Sequence, residues 1–505
     1  MQNANSADNA APERRRRAGF AFAFCIFYFA FFGCASNPPR RAESSTGALA
    51  QLGTDILAAT HLPGVTRASW GIVVYSLDRN ERLFELNQRS LFVPASVAKL
   101  VSVATAAEAV GWNYQFETSF RVTGPIVDGT VHGDLLVVGS GDPSTGGRGG
   151  NSLSDIAAAL VGAGIRRIEG RVIGDDDAVE EPRPQLAWAW DDLGYSTGAL
   201  FGALNLAENR TVVTVAPGPG DGSPTTLRPG GIASPPLINR TVTGPVGSPL
   251  LLWPEQRPGE PFLTIAGSIP AGAQPATIGI AAGNPTVWFA RNLLAQLIES
   301  GIAVTGGARD IDEADPPPDR TNAALILTNR SPTLAEIARP LLKESINLYG
   351  EALLRLNVEK GAFPTNDAAL AGLRTRLRSW GLSDDSYQLV DGSGLSRRDA
   401  ISPDALLVVL RRMYDPAGTS PFMTALPIAG ADGSLEARMK GTAAEGNVRA
   451  KTGTMSNIRS LAGYVTTRNG ERLAFVIMVN NLEGTGAEAH GAIDAIAVRL
   501  AMFSR

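Results

Sequence analysis

The chain has 505 residues, 44% of them hydrophobic and 19% charged, which at roughly 100 to 200 residues per domain makes two to four domains with a substantial core. A formal net charge of −4 and a pI near 5.7 exclude the clustered basic surface that nucleic-acid binding requires. The only cysteines, Cys25 and Cys34, lie near the N-terminus, and the only histidines are His61, His132 and His490, so no metal, redox group or other cofactor is expected.

Residues 1–13 are polar, Arg14 to Arg17 form a cationic run, and Ala18 to Ala35 are almost entirely apolar. That order reads as an export signal, and the apolar stretch falls short of the ~20 residues of a spanning helix. Residues 1–35 are therefore assigned as a signal peptide or lipoprotein signal, residues 36–46 as a polar tether, and the protein as exported to the periplasm. Phe31-Phe32-Gly33-Cys34 resembles a bacterial lipoprotein processing site. A lipidated Cys34 and an uncleaved segment 18–35 are alternative membrane tethers; the plain alternative is an ordinary thiol in an apolar signal.

The apolar run Trp70 to Leu77, turn residues Asp78-Arg79-Asn80 and the return Arg82 to Leu86 predict a β-hairpin. After Pro94, Ala95 to Val110 read as a buried helix closed by Gly111, with Ser96 in its first turn. From about Glu117 to Arg320 short β-like pieces such as Asp134 to Val138 and Thr211 to Val215 alternate with Gly/Pro clusters, ending at the connector containing Pro316 to Pro318. Helical texture then resumes over Leu334 to Asn357, with a capping box at Thr333 and Glu336 and a kink around Ser345. Strands are expected over Val448 to Gly453, Leu461 to Thr467 and Arg472 to Val479, with a turn at Asn469-Gly470, and a terminal helix over Ala487 to Phe503. Residues 47–118 and 321–505 should thus close one discontinuous α/β domain around a β-rich insert, 119–320.

Lysine is scarce: Lys99, Lys343, Lys360, Lys440 and Lys451 are the only five among 45 basic residues. A site that needs a cation able to lose its proton must use one of them, since guanidinium stays charged. Ser96-Val97-Ala98-Lys99 puts a hydroxyl and an amine on one helical face, where a lysine of lowered pKa can activate the serine. The bland alternative is a capping serine beside a surface lysine, but the rest of this helix is apolar, so Lys99 should point inward. Lys451-Thr452-Gly453-Thr454 lies on a strand where the glycine permits close approach of a ligand or a second backbone; otherwise it is a strand-end turn. Ser345-Ile346-Asn347 falls at the kink and by itself is an ordinary helix cap.

Together, in this order, Ser-x-x-Lys, Ser-x-Asn and Lys-Thr-Gly are the three boxes of penicillin-binding proteins and serine β-lactamases. The gap of 249 residues between Ser96 and Ser345 narrows the match. The chain resembles the D-alanyl-D-alanine carboxypeptidases of the penicillin-binding protein 4 type, peptidase family S13, in which two domains are inserted between the first and second boxes. Gly139-Ser140-Gly141-Asp142-Pro143, Trp188-Ala189-Trp190-Asp191-Asp192-Leu193 and Asp391-Gly392-Ser393-Gly394-Leu395-Ser396-Arg397 are similar to the family as well.

The resemblance implies the transpeptidase-like fold of these enzymes, an antiparallel sheet flanked by helices, with two β-rich inserted subdomains. It implies that Ser96 attacks the D-alanyl-D-alanine bond of peptidoglycan stem peptides, with endopeptidase cleavage of cross-links left open as a second activity, and binds β-lactams covalently. Lys99 would be the base, kept neutral by burial and by the charge of Lys451. Ser345 would relay a proton, and Asn347 would hold Lys99 and the substrate. Lys451, Thr452, Gly453 and Thr454 would receive the terminal carboxylate; Asp192, Tyr195 and Met455 would read the diamino-acid side chain. The alternatives are a β-lactamase or esterase on the same scaffold, or a non-catalytic protein that binds cell-wall peptides.

Overall fold

The computed structural model describes residues 45–505, except 187, 232–233, 258–259, 261 and 484–485. The export segment and both cysteines lie outside the described residues, as does the tether up to residue 44; Ser45 and Thr46 already begin helix α1 (Ser45–Thr60). No described helix is long and apolar enough to cross a membrane.

The organising element is a five-stranded antiparallel sheet. Strands β1 (Ser69–Ser76) and β2 (Glu81–Leu86) form the expected hairpin. They are joined in the sheet by β3 (Arg449–Met455), β4 (Ile458–Thr466) and β5 (Arg472–Asn480), in the spatial order β2–β1–β5–β4–β3. β1 pairs with β5 along its whole length, from Ser69 opposite Asn480 to Ser76 opposite Leu473.

Successive side chains of a strand face opposite sides, and here both sides are covered. Val73, Tyr75, Ala462, Tyr464, Val476 and Met478 enter one core, with helices α2 (Lys99–Val110), α3 (Leu334–Glu344), α4 (Asn347–Arg355) and α5 (Pro403–Met413). Ile72, Val74, Leu461, Val465, Phe475 and Ile477 enter the other, against α1 and α6 (Ala487–Met502). Two-sided burial explains why these strands read as continuous apolar runs instead of alternating ones. α2 is buried nearly all round over its first nine residues, which places it centrally and stops it at Gly111, whose φ is 81°.

The insert differs from expectation in two respects. Strands Glu117–Val122 and Ala324–Arg330 pair with each other, so the insert closes at that pair and not at residues 119 and 320. These strands belong to a five-stranded mixed sheet with Leu135–Val138, Val172–Asp175 and Ala308–Asp310. Helices Leu153–Gly162 and Pro285–Glu299 pack on it through Ile156, Leu160, Trp288, Phe289, Leu293 and Leu297, so this subdomain is α/β and not simply β-rich. The second subdomain is all β: two three-stranded sheets within 210–281 enclose Val213, Val215, Leu263, Ile265, Ile269 and Ile280.

Candidate active site

Ser96 sits in a single 3-10 turn, Ala95–Ala98, that leads into α2. Two glycines let neighbouring segments press against this turn. A Cβ on Gly453 of β3 would stand 2.7 Å from the Pro94 carbonyl oxygen. A Cβ on Gly394, whose φ is 77°, would stand 2.1 Å from the Ala95 carbonyl oxygen. Only glycine fits at either position, which is the close backbone approach expected for Lys-Thr-Gly.

The three boxes converge. Lys99 Nζ lies 2.9 Å from Ser96 Oγ, 2.7 Å from Asn347 Oδ1 and 2.6 Å from the Ser393 carbonyl oxygen. A neutral amine has two N–H groups and one lone pair: donating to Asn347 and Ser393 leaves the lone pair for the serine hydroxyl proton. Burial brings the Lys99 pKa down to about 7, against the opposing pull of Asp391, Glu351 and Asp399. Lys451 Nζ donates to Ser345 Oγ at 2.9 Å and to the Thr452 carbonyl at 2.8 Å. Its pKa is pushed far below the ordinary lysine value by burial and then by the charge of Lys99. Burial is the larger cause for both lysines, and the repulsion between two such close amines disfavours both being charged at once.

Ser345 caps α3 in the left-handed region, φ 65° and ψ 38°, and Asn347 opens α4. This break turns both side chains of the triplet toward the lysines, while Asn347 Nδ2 donates to the Thr197 carbonyl of the insert at 2.8 Å.

Beneath Lys99 is a buried acidic scaffold that sequence reasoning did not single out. Glu351 Oε1 accepts the backbone N–H groups of Gly392 at 3.1 Å and Ser393 at 3.0 Å, fixing the carbonyl that Lys99 uses. Asp391 accepts from the N–H groups of Ser393, Gly394 and Ser396 and, at 2.8 Å, from Trp188 Nε1, so two of the supporting motifs meet in one hydrogen bond. Burial, then Asp391, pushes the Glu351 carboxyl up to about 7. The available signal was a lone acid in the apolar run Leu348 to Leu354, one turn after Asn347.

Above this layer a cleft of about 440 Å³ is lined by Ser96, Ser345, Asn347, Thr452 and Thr454 together with Asp192 and Met455. Gly453 and the two lysines form its buried back, each fully or almost fully shielded. Tyr195, three residues after Asp192, has its backbone bridged to Ile280 in the insert. Thr197, Arg397 and Ser434 line the cleft without having been named as candidates. The Asp192 carboxyl is raised by burial and by Asp191, with Arg397 pulling the other way. One group of potential metal ligands occurs among the described residues, Asp176, Asp177 and Glu181, and none of the three lines the cleft.

Residues 52–502 match the profile of the D-Ala-D-Ala carboxypeptidase 3 (S13) family. A D-alanyl-D-alanine carboxypeptidase of Actinomadura sp. is 33% identical over 483 residues, 92% of this chain and 87% of that protein. The D-alanyl-D-alanine carboxypeptidase DacB of Haemophilus influenzae is 25% identical over 428 residues, 81% of this chain and 85% of its own. In fold, the crystal structure of penicillin binding protein 4 from H. influenzae superposes with a TM-score of 0.77 at 22% identity, covering 90% of this chain and 99% of that one.

Proposed function

The chain belongs to the D-Ala-D-Ala carboxypeptidase 3 (S13) family and is by that membership a serine-type carboxypeptidase; from this premise we propose how its residues divide the reaction. Ser96 Oγ attacks the carbonyl between the last two D-alanines of a stem peptide while Lys99 Nζ takes the hydroxyl proton. The tetrahedral oxyanion is held by the backbone N–H groups of Ser96 and Thr454, where losing one donor costs on the order of 3 kcal/mol. The proton taken up by Lys99 is handed on through the Ser345 hydroxyl, held in place by Lys451, to the departing amine; D-alanine leaves, Lys99 is neutral again, and it activates the water that hydrolyses the ester.

The single observation that carries this reading is the Lys99 amine in hydrogen-bond contact with both Ser96 and Asn347, residues of two different boxes. Thr452 and Thr454 on the cleft wall, backed by Lys451, suit a free terminal carboxylate. Asp192 and Arg397 at the other end of the cleft suit a side chain that ends in both an amine and a carboxylate. β-Lactams present the same kind of acyl carbonyl beside a carboxylate and acylate Ser96.

Export and membrane attachment are part of the proposal and rest on Arg14 to Ala35 and Cys34. Metabolic labelling with a fatty acid, compared between wild type and Cys34→Ser, tests the lipid anchor. The catalytic assignment is tested by digesting purified pentapeptide muropeptides with wild type and Ser96→Ala. Release of D-alanine by both variants alike removes Ser96 as nucleophile. A long-lived labelled-penicillin adduct is expected, and rapid turnover of the drug would make the protein a β-lactamase instead.

A further inference from the structure

Away from the cleft, the mixed sheet of the insert ends in a concentration of acid. Strands Leu135–Val138, Val172–Asp175 and Ala308–Asp310 run parallel, with Val138 opposite Asp175 and Asp310 opposite Gly174, so their carboxyl ends share one edge of the sheet. In open α/β sheets such an edge is where ligands bind. The chain leaving Val172–Asp175 carries Asp175, Asp176, Asp177 and Glu181, and the chain leaving Ala308–Asp310 carries Asp310, Asp312 and Glu313. Among the described residues, the only basic side chain in an ion pair with any of these carboxylates is Arg320, which meets Asp175 at 3.4 Å and also Asp177.

Asp176 differs from the others. It is 1% exposed; its Oδ2 accepts from the Thr286 hydroxyl, while its Oδ1 is buried with no hydrogen-bond partner among the described residues. A buried carboxylate oxygen left so carries a desolvation penalty that nothing around it offsets. One oxygen from each of Asp176, Asp177 and Glu181 lies within 4.8 Å of the other two. That is the span across the oxygen shell of a Ca²⁺ ion, whose bonds are about 2.3–2.6 Å long. Burial raises the Asp176 carboxyl to about 7 against the pull of the Thr286 hydrogen bond, and Asp310 and Glu181 push it the same way. Asp177 and Glu181 are exposed, so the group is open to solvent on one side. The scarcity of cysteine and histidine bears on soft and borderline metals, not on a hard cation held by carboxylates.

We propose that Asp176, Asp177 and Glu181 form a binding site for a hard divalent cation of the size of Ca²⁺ at the carboxyl edge of the insert's mixed sheet. Asp176 supplies the buried ligand, Asp177 and Glu181 close the outer side, and water completes the shell. The ion takes no part in acyl transfer. Its place is at the root of the segment that reaches from the insert to the cleft: beyond Glu181, Trp188 bonds to Asp391, Asp192 lines the cleft, and the Thr197 carbonyl accepts from Asn347. Joining Asp176 to Glu181 fixes the point from which that segment leaves the sheet.

The test titrates the full chain, stripped with EGTA and dialysed into KCl buffer, with CaCl₂. Equilibrium dialysis with radioactive calcium should find one ion bound per chain at about 1 mM, and Tm should rise by about 2 °C or more over KCl of equal ionic strength. Asp176→Asn and Glu181→Gln should each weaken binding by about tenfold or more and lose the rise in Tm, with penicillin labelling unchanged as the check on folding. Glu181 is exposed, so Glu181→Gln decides alone if Asp176→Asn does not fold. Wild type that binds no calcium, a rise in Tm that KCl reproduces, or unchanged binding in Glu181→Gln overturns the site.

Discussion

Acylation of Ser96 should rise with pH and level off above about 7, because the rate follows the neutral fraction of Lys99. An ordinary lysine amine titrates near 10.5, and burial brings this one to about 7. At neutral pH about half the molecules then carry the lone pair, against roughly one in 3,000 for an unshifted amine, a difference of about 5 kcal/mol at 1.36 kcal/mol per pH unit. Below the midpoint the rate falls tenfold per unit, so pH 5 should be about 100-fold slower than the plateau. The assay is stopped-flow acylation by a fluorescent penicillin between pH 5 and 9. A flat profile, or a rising limb centred near the ordinary lysine value, refutes burial-tuned Lys99 as the base.

Gly453→Ala puts a methyl carbon 2.7 Å from the Pro94 carbonyl oxygen, and the Ser96 turn must shift; acylation should fall by about 100-fold with the far-UV circular dichroism unchanged. Lys99→Met should abolish acylation yet raise Tm by on the order of a few degrees at pH 7, read by calorimetry. The sign follows from linkage: the folded pKa of Lys99 is depressed, so between about 7 and 10.5 the unfolded chain binds more protons. Wild-type stability should therefore rise with pH across that window, and less so in Lys99→Met. Trp188→Phe loses the 2.8 Å hydrogen bond to Asp391, a bond to a charged group worth about 1.5–3 kcal/mol, and should lower urea resistance accordingly.

The reacting groups were legible because each breaks the texture around it. Lys99 is a cation in an apolar helix, and Lys451 one of five lysines in an arginine-rich chain. The central sheet was legible too, since strands buried on both faces are long apolar runs. The insert was harder: its helix at Leu153–Gly162 announces itself by Ser152 and Asp155 in a capping box, but the surrounding Gly/Pro clusters dominate the composition. Ser434 was missed because it sits in a short 3-10 helix, Gly433–Leu435, where neighbours in sequence say little about which way a side chain faces, and only the packed structure shows it bonded to Thr452.

The full-length pairing of β1 with β5 has a temporal side. At about 5–20 residues per second, synthesis takes tens of seconds to pass from the Ser96 turn to the edge strand that closes the cleft. Throughout that interval Ser96 and Lys99 lack the strand that closes their cleft, while every strand of the insert has already been made. A message cut short before residue 449 yields two of the three boxes and no complete cleft.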